Sequence, residues 1–216
     1  MRRTISSLIW ALWMAPPTLA AQSAESTRPG VRPILPRAEE IALARSAAPP
    51  EVSGAASVLV LERGKGYVPA ETGTNGVTCY VSRSQPEAIE PHCFDREGSE
   101  TILQMDLREA ELREWGKSEA EIKEDIAEGL RMGRFRLPRR PAMSYMMSAA
   151  QVLYNEQGER AGQWQPHLMI YVPYLTAEDL GLGSTPSFQA AVVVDPGKPT
   201  ANIMIVVKDF VEPARR

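Results

Sequence analysis

Hydrophobic period changes twice along this 216-residue chain, and that change limits its folds more than any other feature. From Ile102 to about Gly133, apolar residues recur at helical spacing in a charged background: Leu103, Leu107 and Ala110, then Ile122, Ile126 and Leu130 at i, i+4 and i+8. Gly116 can end the first helix. Ser118-Glu119-Ala120-Glu121 has the form of a capping box, in which the Ser hydroxyl accepts an early backbone N–H while the Glu reaches back. Glu119 and Lys123 are placed as a supporting i, i+4 pair. Two helices joined by a tight Gly-Lys-Ser turn are predicted here.

On either side the period shortens. Ser57–Leu61 suits a buried strand, Gly64-Lys65-Gly66 a turn, and Tyr67–Glu71 a strand that Pro69 pushes to an edge. Thr74-Asn75-Gly76 has the composition of a hairpin turn, and Val77, Cys79 and Val81 after it share one face. A three-strand meander is the simplest account, with Ser84–Arg96 a loop. After Pro138, Ala142–Ser148 alternates Met143, Tyr145 and Met147 against Ser144 and Met146. Gln151–Asn155 and His167–Val172 read as strands, and Gln189–Val194 with Ala201–Val207 as a closing hairpin. Strands, then helices, then strands predict an α+β fold: a mostly antiparallel sheet with a two-helix insertion packed on one face, a single domain over residues 51–211. Residues 22–50, interrupted by Pro29, Pro33, Pro36, Pro49 and Pro50, read as a linker with a short helix over Arg37–Ala47.

The chain starts with Met1-Arg2-Arg3, an apolar stretch from Ile5 to Ala15, a Pro16-Pro17 break, and the small-residue exit Thr18-Leu19-Ala20-Ala21. A basic end, a short apolar run and a small-residue exit are the parts of a cleavable signal peptide, expected over residues 1–21. The competing reading, a membrane anchor, needs about 20 apolar residues, and the prolines stop this run sooner. A secreted or periplasmic location follows, with no membrane span after cleavage. Removing residues 1–21 takes two arginines and no acid, leaving 22 basic against 27 acidic residues, a net charge of −5. That balance lacks the basic patch that nucleic acid requires.

Cys79 and Cys93 are the chain's two cysteines, and an isolated pair in an oxidising compartment is most simply a disulfide. A zinc site from Cys79, His92, Cys93 and His167 has the right residue types but no recognised spacing. Thioethers at Met143, Met146, Met147 and Met169 near His167 suit Cu(I), against the commoner use of methionine as a core filler. Trp164, His167, Tyr171 and Tyr174 form an aromatic cluster and are the candidate ligand-binding residues. In a strand, His167, Met169 and Tyr171 share one face, free to line a groove, and Leu168, Ile170 and Val172 take the other, expected to be core. The plainer alternative covers that first face with helices and hydrogen-bonds His167. No G-x-S-x-G, Walker loop or H-E-x-x-H occurs, and no cofactor fingerprint. A dispersed Ser-His-Asp triad would have to use His92 or His167; His167 is the candidate.

The stretches Thr74–Cys79, Pro91-His92-Cys93, Gly133–Pro138, Ser144–Met147 and Pro166–Tyr174 together resemble a group of exported bacterial proteins with no assigned activity. The resemblance implies secretion and a bacterial source and transfers no site. Three readings stand: a non-catalytic domain binding an unknown small molecule or protein through Trp164–Tyr174, a hydrolase-like enzyme using His167, and a periplasmic metal-binding protein.

Overall fold

Strand order is decided early in the chain, by β1 (Ser57–Glu62), β2 (Gly66–Glu71) and β3 (Thr78–Ser82). The computed structural model describes residues 34–83, 88–155, 157–182 and 191–214. β1 and β2 form the expected antiparallel hairpin, but β3 pairs with β1, in parallel. This corrects the meander. Proline has no N–H for a second ladder, so Pro69 keeps β2 at the edge and leaves only the far side of β1 for β3. Thr74–Gly76 is therefore a crossing segment. Thr74 N–H donates to Ala55 O at 2.8 Å, and a Cβ at Gly73 would stand 2.2 Å from Ser57 N.

The sheet continues antiparallel through β4 (Ala88–Phe94), β5 (Ala142–Met146), β8 (His167–Tyr171), β10 (Asn202–Val206) and β9 (Val192–Val194). A small hairpin of β6 (Val152–Tyr154) and β7 (Arg160–Gly162) attaches to β4. The described part of the expected 84–96 loop is thus largely strand. Its Pro91 is tolerated because Asp95 N–H, of the same parity, points away from β3 to Met143 O. The missing N–H of Pro91 faces the gap between the β5 and β6 pairings.

Cys79 and Cys93 lie directly opposite each other in β3 and β4, Cα atoms 4.0 Å apart, and form the disulfide. It is a rung between neighbouring strands, not a staple on a loop.

Alternation sends residues two apart to one face. On one side Val58, Val60, Cys79, Val81, Ile89 and Cys93 pack against Ile41, Leu43 and Ala44 of α1 (Arg37–Arg45) and the following Ala47 and Ala48. The short helix expected over Arg37–Ala47 is present as α1, and it packs as a core element where the surrounding residues were read as linker. The Arg83 guanidinium bonds the buried Glu40 carboxylate in a fork, fixing α1 to the end of β3. The short α2 (Pro50–Ser53) follows. On the other side Tyr80, Phe94, Ala142 and Tyr171 pack under Ile102, Leu103 and Met105. Those three belong to α4 (Ile102–Glu114), entered through α3 (Arg96–Glu100), whose Asp95 N-cap accepts from Gly98 N–H at 2.7 Å.

α5 (Glu119–Arg131) starts as its sequence indicates. Ser118 Oγ accepts from Glu121 N–H at 3.3 Å, and Ser118 N–H donates to Glu121 at 2.9 Å. Gly116 adopts φ +74° in the turn before it. Glu119 takes Arg113 as its ion-pair partner. Among the described residues no helix is long and apolar enough to cross a membrane. The expected signal peptide, linker residues 22–33 and the start of the Gln189–Val194 strand lie outside the described residues.

Candidate functional site

The face carrying Tyr80 and Phe94 runs on beyond α4. Register aligns Ala142, Tyr171 and Asn202 in one row, Ser144, Met169 and Met204 in the next, and Met146, His167 and Val206 in a third. The first row lies at the helix-covered core; the third borders a cavity of about 450 Å³ lined by Gln163, Trp164, Gln165, His167, Met204 and Val206. Two ties hold the 163–166 segment beside the sheet. Val207 N–H donates to Pro166 O at 2.8 Å, and Trp164 Nε1–H donates to Glu90 of β4 at 3.1 Å.

His167 is 4% exposed, and its Nδ1 lies 2.7 Å from Gln165 O. A carbonyl only accepts, so Nδ1 carries the proton and Nε2 is left as an acceptor. Burial holds the ring below its ordinary pKa, hence neutral at pH 7. Glu90 is pushed upward by burial, against the Trp164 N–H and the neighbouring Gln151 amide. The Gln151 amide lies at a geometry too poor to satisfy either of its own buried polar atoms. Among the described residues no Lys or Arg pairs with Glu90.

His92, two residues along the same face, is held at about 3 by burial and by His167. Its Nδ1 lies 3.3 Å from Ser144 Oγ, its ring stacks on Phe94 at 5.8 Å, and its Nε2 is buried without a partner. This is the serine–histidine contact in the described structure, and it involves His92, not His167. The serine is fully buried, burial disfavours protonation of the imidazole, and among the described residues no carboxylate hydrogen-bonds it. Nearby, Tyr80 OH donates to Asp106 at 2.9 Å. Burial raises Asp106 to about 7, the Tyr80 bond opposing it and the charges of Glu109 and Glu90 adding to it.

Of the four residues expected to bind a ligand, Trp164 and His167 come together at the cavity. Tyr171, 6% exposed, lies in the helix-covered core with its OH toward Met169 Sδ at 3.8 Å. Tyr174 is 57% exposed at φ +67°, tied to Lys198 O, and does not line the cavity. For β8 the geometry follows the plainer alternative: helix covers the Tyr171 end of the His167–Tyr171 face, and His167 is hydrogen-bonded, while Leu168 and Ile170, expected as core, are half-buried on the other face. The helices decide this, because α4 covers the Tyr171 side. Sequence reasoning missed Glu90, Gln163, Gln165, Met204 and Val206.

The zinc set is not assembled. Cys79 and Cys93 are spent in the disulfide, and among the described residues no three His, Cys, Asp or Glu side chains are grouped to hold an ion. Of the expected thioethers, Met146, directly opposite His167, and Met169 share its face, while Met143 and Met147 alternate to the other.

Comparison with protein-family models, with curated proteins and with solved structures gives no match to this chain.

Proposed function

We propose that this is an exported, non-catalytic binding protein whose ligand site is the cavity between Trp164 and His167. The observation that carries the reading is the lining itself. Met204 and Val206 offer an apolar wall, Trp164 a half-exposed ring (45%), and His167, Gln163 and Gln165 polar groups that can fix orientation. An apolar cavity with a few convergent polar groups is the usual form of a small-molecule site. Export from a cleaved signal peptide after about residue 21, and a single folded unit in which α4 and α5 are an insertion on one sheet face, belong to the same proposal. The disulfide is the feature that favours an oxidising compartment.

The test is a small-molecule screen by thermal shift on the processed protein, repeated with Trp164→Ala and His167→Ala. Compounds that stabilise the wild type and neither variant support the reading. Compounds acting equally on all three place binding elsewhere. A turnover that His167→Ala abolishes replaces it with the enzymatic reading.

A further inference from the structure

We propose that the cavity takes a primary ammonium carried on an apolar body, with Glu90 as its counter-charge. The inference rests on the binding reading and narrows it to a ligand class. Three observations point to it.

Glu90 is not itself a lining residue but lies behind one: the Trp164 indole N–H donates to its Oε1 at 3.1 Å, which leaves the second carboxylate oxygen free of that bond. The charge around it is unmatched. The nearest basic side chain on this segment, Arg160, donates to Gln163 at the exposed rim, and no cation pairs with Glu90 among the described residues. A partly desolvated carboxylate without a partner gains when a cation arrives.

The second observation is the hydrogen-bonding sense of the neighbouring imidazole. His167 has its Nδ1 proton committed to Gln165 O, so Nε2 presents a lone pair. An ammonium brings three donors and no acceptor, which suits a wall with an imidazole lone pair and a carboxylate behind its indole. An anion would meet both as repulsion. Third, the lining joins an indole ring to Met204 and Val206. The indole face attracts a cation, and the aliphatic side chains cover an apolar body.

The probes are phenethylammonium, the neutral 2-phenylethanol and the anionic 3-phenylpropionate, titrated calorimetrically into the processed protein. Phenethylammonium is expected to bind at least about tenfold more tightly than the alcohol, with no binding of the carboxylate. Glu90→Gln, close in shape, should abolish that preference and leave the alcohol unchanged. Trp164→Phe, which keeps a ring and releases the carboxylate, should keep it. If alcohol and ammonium bind the wild type equally and Trp164→Ala removes both, the binding reading stands and the ammonium inference fails. Failure of all three probes also overturns the inference, while the broader screen judges the cavity separately. An ammonium preference that survives Glu90→Gln contradicts it as well.

Discussion

One sheet face has two halves that solve the same problem differently. Under α4, Tyr80, Phe94 and Tyr171 are sealed with Leu103 and Met105, and two phenols are matched: Tyr80 meets Asp106, and Tyr67 OH donates to Val81 O at 2.6 Å; Asn202 Oδ1, in the Tyr171 row, is buried without a partner among the described residues. Beyond the helix, Trp164, His167, Met204 and Val206 surround open space. There, among the described residues, His92 Nε2 is buried without a partner and no Lys or Arg pairs with Glu90. Buried polar groups are normally satisfied. The first half is closed by a helix; in the binding reading proposed above, the second is left open for an occupant.

Truncation should separate the halves most sharply. Phe94→Ala removes a fully buried ring and is expected to cost about 3–5 kcal/mol in urea unfolding, whereas Trp164→Ala at the cavity should cost under about 1 kcal/mol. Equal costs would erase the distinction. Replacing both cysteines by alanine, which leaves the sheet order intact but frees a 14-residue separation, should cost about 3 kcal/mol in the loop-entropy account. The fluorescence of Trp164 should stay unchanged in that variant, because the rung lies away from the cavity.

A pH series gives the next effect. Asp106, raised to about 7 in the folded state, favours folding while protonated; that contribution is complete below about pH 4 and lost as pH rises through 7. His92 and His167 are held neutral and act oppositely, losing stability as pH falls below about 6.5. The Asp106→Asn variant isolates the first. Its stability relative to wild type should rise from pH 4 to about 7 and level off above. Tyr80, Tyr171, Glu109, Glu90 and Arg113 surround the carboxyl and are unchanged in both proteins. A flat difference would mean that Asp106 is solvated. The smallest effect is expected on the covering layer: Ser118→Ala should cost about 1 kcal/mol through the lost cap.

The covered half was the more legible in the sequence, because its signals are local. The capping box, the Gly116 turn and the Ile122–Leu130 stripe fix α5 within a dozen residues. The helix of α1 was legible but its core role was not, because Ile41 and Leu43 are its only large apolar residues and the contacts that follow, at Ala44, Ala47 and Ala48, are alanines that pack by close approach and leave little hydrophobic signal. β4 escaped because Glu90 and Pro91 break its pattern, and the tolerance for Pro91 depends on which neighbours flank it. The site needed register. Trp164 and His167 lie three residues apart in sequence and were readable as types. Glu90 joins them from 74 residues upstream, and Met204 and Val206 arrive through β10. Tyr171 misled because only the placement of α4 determines which face of β8 is sealed.

The most direct measurement uses Trp115→Phe, which leaves Trp164 as the sole tryptophan of the chain from residue 22. Titration of that protein with phenethylammonium should give a saturable change in Trp164 emission, weakened at least about tenfold by adding His167→Ala. A saturable signal that is indifferent to His167, or emission that never responds to any compound stabilising the protein, would contradict a ligand site between these two residues.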